Sequence, residues 1–162
     1  MSKALVAFFS AGGVTAGVAR RLAAAAGADL FEIRPVEPYT EKDLKWTNPM
    51  ARCNREKLGR KDVPISGTVE NTDGYDVIFV GFPIWYYGAP KIIVTFLRSC
   101  DLTGKKIALF ATSGGSDIGK TAEKIRPLIP GTAEIVAAKL FRPEDTEETL
   151  RQWAESVGGT AQ

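Results

Sequence analysis

The chain has 162 residues, with 21 lysines and arginines against 19 aspartates and glutamates, and no histidine. That length predicts a single domain, 1–162, able to bury roughly 70% of its unfolded surface without a disulfide or a metal. The near-even charge excludes the dense positive field of a nucleic-acid binder, and the missing histidine excludes a Ser-His-Asp triad, a Cys-His pair and histidine-ligated zinc or haem.

The first element is a strand, Ala4–Phe9, whose run Leu5-Val6-Ala7-Phe8-Phe9 is unbroken apolar and so suits a central position covered on both faces. It is too short for a signal-peptide core, and no apolar run approaches the ~20 residues of a membrane span, so a cytoplasmic protein away from membranes is expected. A glycine-containing turn then opens a helix over Val14–Ala26, with Val18, Leu22 and Ala25 on one face and Gly27 as its stop. A second strand, Asp29–Arg34, alternates at its end and reads as an edge. A long irregular segment follows at about 35–73, with a short helix possible over Thr40–Trp46; connections of that length are often functional.

Apolar strands recur at Asp76–Phe82 and Lys106–Ala111, separated by a helix over Ala89–Ser99 with Pro90 in its first turn. Ile118, Ala122 and Ile125 mark a short helix that stops near Pro127 and Pro130. The fifth strand, Ala133–Leu140, carries Glu134 and Lys139 and reads as the other edge. In the last helix Asp145 and Glu148 have capping-box spacing, Leu150, Trp153, Ala154 and Val157 form the packing stripe, and Trp153 is expected in the core. Cys53 and Cys100 form no CxxC and read as reduced thiols, Cys100 in the core.

Strands alternating with helices predict an α/β fold with a doubly wound five-stranded parallel sheet and helices on both faces. Right-handed crossovers with the second and fifth strands outermost give the order 2-1-3-4-5. In such a sheet a ligand binds beyond the carboxyl ends of the strands, where the strand order reverses. That rule selects three loops: Ser10-Ala11-Gly12-Gly13-Val14-Thr15, Pro83-Ile84-Trp85-Tyr86-Tyr87-Gly88, and Thr112-Ser113-Gly114-Gly115-Ser116.

The first loop sets a hydroxyl at each end of two glycines and runs straight into a helix. Glycines let backbone N–H groups close on an anion, and the helix N-terminus adds favourable partial charge. With no basic residue inside it, the loop suits a singly esterified phosphate held by neutral donors, Ser10 and Thr15 among them. The second loop gathers Trp85, Tyr86 and Tyr87 beside that site, where a flat conjugated ring would stack. The third supplies backbone donors and small side chains that let a ring approach closely. A phosphate at one end and a planar ring at the other describe a mononucleotide, and the aromatics favour a flavin.

In these loops the chain resembles the flavodoxin family. The run Gly81-Phe82-Pro83-Ile84-Trp85-Tyr86-Tyr87-Gly88-Ala89-Pro90 is similar to the third-strand flavin loop of a flavodoxin-like branch, and Ala111-Thr112-Ser113-Gly114-Gly115-Ser116 to its fourth-strand loop. The resemblance covers nearly the whole chain. It implies FMN as cofactor, its phosphate held by Ser10, Ala11, Gly12, Gly13, Val14 and Thr15, and its isoalloxazine framed by Pro83 to Gly88 and Thr112 to Ser116. Many relatives carry a third hydroxyl where this chain has Gly12, which implies weaker FMN binding. The chain also lacks the acidity of the short shuttle flavodoxins, which implies a less negative flavin potential.

The flavin would carry the redox chemistry, so no catalytic side chain and no metal site are assigned. The partner is then a redox protein, for an electron carrier, or a small-molecule acceptor such as a quinone, for a reductase. Two alternatives compete. Gly114-Gly115-Ser116-Asp117-Ile118-Gly119-Lys120-Thr121 matches GxxxxGK[ST], the triphosphate P-loop. Such a loop needs a metal-orienting acid at the end of another strand, whereas strands 1, 3 and 5 run into Ser10, Pro83 and Phe141. The other is a flavodoxin-like scaffold that binds a partner without cofactor.

Overall fold

A computed structural model describes residues 4–10, 13–34, 65, 67, 69, 74–84, 91–112, 121–129, 131–142 and 144–157. Their elements, in chain order, are β1 (Ala4–Phe8), α1 (Val14–Ala26), β2 (Asp29–Glu32), β3 (Val77–Pro83), α2 (Lys91–Ser99), β4 (Lys106–Thr112), α3 (Thr121–Ile125), β5 (Glu134–Phe141) and α4 (Glu147–Ser156). The five strands form one parallel sheet in the order β2-β1-β3-β4-β5, as the apolar patterning predicts. Every strand lies within two residues of its expected bounds. β2 stops at Glu32 rather than Arg34, although the Ile33 N–H still donates to the Phe8 carbonyl at 2.6 Å. Ala89 and Pro90 of the expected second helix, Ile118 of the expected third, Cys53 and the short helix over Thr40–Trp46 lie outside the described residues.

Alternation along β1 distributes the core to both faces of the sheet. Leu5, Ala7 and Phe9 join Ile78, Val80 and Phe82 of β3 under Ile92, Ile93, Phe96 and Leu97 of α2. Ala4, Val6 and Phe8 face the other way with Phe79 and Phe110, under Val18, Ala19 and Leu22 of α1 and Leu150 and Ala154 of α4. Trp153 packs there too, its ring centroid 5.4 Å from Phe79 and 5.2 Å from Phe141, and so anchors the core as expected. Cys100 is half-buried against the first cluster, and burial, with Asp101 adding to it, pushes its thiol up to about 11. A thiol held neutral in this way is a poor nucleophile.

Helix ends follow local chemistry. Gly27 closes α1 at φ 65°, a left-handed conformation that glycine adopts without Cβ strain. At α4 the expected capping box of Asp145 and Glu148 is displaced by one residue. Because the helix begins at Glu147, Thr146 is the cap, and its hydroxyl accepts from the Thr149 N–H at 3.2 Å. Asp145 instead accepts from the Arg142 N–H at 2.7 Å, and Glu148 engages Arg151 and Gln152. Thr146→Ala is therefore expected to lower stability by about 1 kcal/mol. Asp145→Ala should leave α4 capped, and urea unfolding of the two variants separates the assignments.

The amino-terminal ends of three strands are tied by a polar chain. Lys105, 8% exposed, donates from Nζ to the Tyr75 carbonyl at 2.8 Å, and the Tyr75 hydroxyl donates to Asp29 Oδ2 at 2.7 Å. Burial, then the bond to Asp29 and its negative charge, push Tyr75 up to about 12. The fold thus favours the neutral phenol. Its contribution is complete below pH ~10 and fades as pH rises toward 12. The stability advantage of the wild type over Tyr75→Phe should accordingly shrink across that interval, as urea midpoints at a series of alkaline pH values will read.

Candidate functional site

The strand order reverses between β1 and β3, so the crevice beyond their carboxyl ends is the place for a ligand. Backbone bonds hold its floor together. The Phe9 N–H donates to the Gly81 carbonyl at 2.9 Å, which keeps β1 registered on β3 to the point where the first loop begins. The Ile84 N–H donates to the Thr112 carbonyl at 2.8 Å, which does the same for β3 and β4 one residue past the end of β3. Ser10, Pro83, Ile84 and Thr112 are thereby brought to one rim of the sheet.

The turn from β1 into α1 is shaped by a hydroxyl and a glycine. Ser10 Oγ accepts from the Gly13 N–H at 3.0 Å, closing the turn over three residues. Gly13 caps the helix at φ 93°, a region that L side chains rarely adopt, and a Cβ placed there would meet nothing within 4 Å. The open volume beside the backbone is what an anion cradle requires. The first intrahelical bond runs from the Gly17 N–H to the Gly13 carbonyl, so the N–H groups of Val14, Thr15 and Ala16 precede the helical ladder.

A second contact spans the rim. Thr15 Oγ1 and Thr112 Oγ1 lie 2.7 Å apart, 97 residues distant in sequence, and the two residues are 2% and 4% exposed. Each hydroxyl has one proton and two lone pairs. If Thr112 donates, the Thr15 proton is left for a ligand in the loop. The tie joins the start of α1, expected to hold a phosphate, to the end of β4, where the ring loop begins. Val14, the first residue of α1, is 49% exposed.

Of the expected site residues the structure places Ser10, Gly13, Val14, Thr15, Pro83, Ile84 and Thr112 at this rim. Ala11, Gly12, Trp85, Tyr86, Tyr87, Gly88, Ser113, Gly114, Gly115 and Ser116 lie outside the described residues. None of the seven described residues is ionisable, so the donors they offer an anion are hydroxyl and backbone N–H groups. Of the P-loop-like run, Thr121 alone is described; it opens the five-residue α3 and is 1% exposed. Gly81 gains a role that the motif did not disclose. A Cβ at that position would overlap the Phe110 ring, so close packing beneath the crevice requires glycine there.

Among the described residues no helix is long and apolar enough to cross a membrane. The family model described as flavodoxin matches residues 3–157. A Bacteroides eggerthii protein of solved structure, provisionally described as a flavoprotein, is 40% identical, with 98% of this chain and 99% of that one covered and a TM-score of 0.87. The flavoprotein of Lactobacillus acidophilus solved in complex with FMN shares the fold at a TM-score of 0.69, 18% identity and coverage of 86% and 93%. Flavodoxin 1 of Salmonella typhimurium is 28% identical over 83 residues, a match covering 46% of this chain and about half, 47%, of that curated relative.

Proposed function

The chain belongs to the flavodoxin family, and from that premise we propose that it binds FMN and passes electrons through it to a redox partner protein or a small-molecule acceptor. The observation that carries this reading is the rim at the start of α1. There an open glycine cradle, closed by Ser10, is bonded through Thr15 to the end of β4. A phosphate monoester fits a cradle of neutral donors at a helix N-terminus.

In this reading the N–H groups of Val14 and Thr15 and the Thr15 hydroxyl hold the phosphate, and Ser10 keeps the turn closed around it. Thr112 orients the Thr15 hydroxyl. Gly13 supplies the left-handed step that turns the backbone toward the anion. Pro83 and Ile84 lead into the aromatic run Trp85-Tyr86-Tyr87, and Thr112 into Ser113-Gly114-Gly115-Ser116; these two loops frame the ring. Bound FMN supplies the one- and two-electron chemistry. The protein binds it, orients it and shields it from water.

Titration of the purified protein with FMN, followed by visible absorbance and flavin fluorescence, tests the assignment. A shifted flavin band with quenched emission is expected. An unchanged spectrum at high micromolar FMN would overturn it and favour a cofactor-free scaffold or a triphosphate ligand. A formal net charge of +2 disfavours the anionic reduced ring less than an acidic surface does. The second reduction step should therefore lie at a less negative potential than in acidic shuttle flavodoxins, and a potentiometric titration reads it directly.

A further inference from the structure

We propose that β5 is the contact through which two copies of this chain pair, edge to edge and antiparallel, about a two-fold axis that passes between Val136 and Ala137. β5 is the last strand of the sheet, and among the described residues no strand lies beyond it. Glu134, Ala138 and Lys139 are exposed along it. An exposed strand edge is a template for another strand.

The register comes from a bulge. Ile107 and Ala108 of β4 stand opposite Ile135 and Ala137, which makes Val136 an extra residue on β5. In a regular strand Glu134 and Lys139, five positions apart, would lie on opposite faces. The bulge puts them on the same one, opposite Lys106 and Phe110, which are four apart on the unbroken β4. Val136 and Ala137 both pack against the cluster that contains Phe110, and so share that face. Ile135 and Ala138 stand opposite Ile107 and Leu109 and share the other.

Antiparallel pairing about a two-fold perpendicular to the sheet requires each residue to meet one on its own face. Only the bulge lets the register centred between Val136 and Ala137 meet that condition. It sets Glu134 opposite the partner's Lys139, Ile135 opposite the partner's Ala138 and Val136 opposite the partner's Ala137, each pair on a common face. The symmetry repeats the ion pair, so two Glu–Lys contacts flank the apolar centre. Neither Glu134 nor Lys139 forms an ion pair with another described residue of its own chain. The Lys139 ammonium rests 5.5 Å from the Phe141 ring centroid, beside the edge it would bridge. A contact of one strand is small as interfaces go, so the dimer is expected to depend on concentration.

Sedimentation velocity over a concentration series, with and without FMN, tests this, and the pairing rests on β5 whether or not FMN binds. The native chain should pass from monomer to dimer as concentration rises. Lys139→Glu or Glu134→Lys alone sets like charges opposite each other twice and should weaken the dimer on the order of tenfold. The double variant Glu134→Lys/Lys139→Glu restores opposite charges in the same register and should recover it. A monomer at every concentration, or a double variant as weak as the single ones, overturns the proposal. Both substitutions fall on exposed side chains, and circular dichroism of each variant verifies the fold.

Discussion

A Gly81→Ala variant is expected to lose about 3 kcal/mol of stability, at the upper end of what one added methyl costs in a packed interior. Gly81 lies in the middle of the sheet, in register with Phe8 on β1 and Phe110 on β4. Its backbone is not in the left-handed region, so alanine is conformationally allowed and the effect is steric. The new methyl would fall within the Phe110 ring, against three of its carbons. That ring is fully buried, with Phe141 and Trp153 each 6.4 Å away between centroids, so it has little room to turn. The Gly81 carbonyl also accepts the Phe9 N–H at the threshold of the first loop, so backbone relief would disturb the ligand turn. Urea unfolding measures the loss, and adding Phe110→Leu should return part of it. A loss below about 0.5 kcal/mol, the range of ordinary surface changes, would show that the aromatic cluster yields.

Thr15→Val is expected to weaken FMN binding by about thirtyfold and leave riboflavin binding nearly unchanged. A hydrogen bond to a charged group contributes about 1.5–3 kcal/mol, and valine keeps the shape of threonine while removing the donor. Riboflavin carries the same ring without the phosphate, so the pair of ligands separates phosphate contact from ring contact. Thr112→Val should cost FMN about fivefold, because the Thr15 hydroxyl then loses the bond that aims it, worth about 1 kcal/mol. The double variant should bind FMN no worse than Thr15→Val alone, since Thr112 acts through Thr15. Fluorescence titration of four proteins with two ligands completes the cycle. Equal losses for FMN and riboflavin would make the hydroxyl pair a tie between loop and sheet without phosphate contact.

The architecture was legible because its signals are local. Three nearly unbroken apolar runs mark β1, β3 and β4, and glycine punctuates α1 at both ends. Strand order followed from which runs carry charge. The places where sequence reasoning fell short share a physical cause: each depends on what lies opposite in space. Asp145 and Thr146 are both good caps, and only the start of α4 at Glu147 decides between them. Nothing around Gly81 shows that a ring from β4 covers it. Thr15 and Thr112 each fall in an expected ligand loop, but their mutual bond joins the first turn of α1 to the end of β4, 97 residues on. The bulge at Val136 sits in an apolar run with no glycine or proline to mark it.

The two rims of the sheet differ in a way that separates two kinds of control. At the amino-terminal rim Lys105, Tyr75 and Asp29 join strands, and the Tyr75 phenol, pushed up to about 12, loses its proton only in strong alkali. At the opposite rim the described contacts are aliphatic hydroxyls and backbone amides, which have no proton to lose in ordinary alkali. Among the described hydrogen bonds, alkali therefore reaches first the tie at the edge farthest from the crevice. Measured without ligand, stability should therefore fall in strong alkali through this tie while the described bonds of the crevice stay intact.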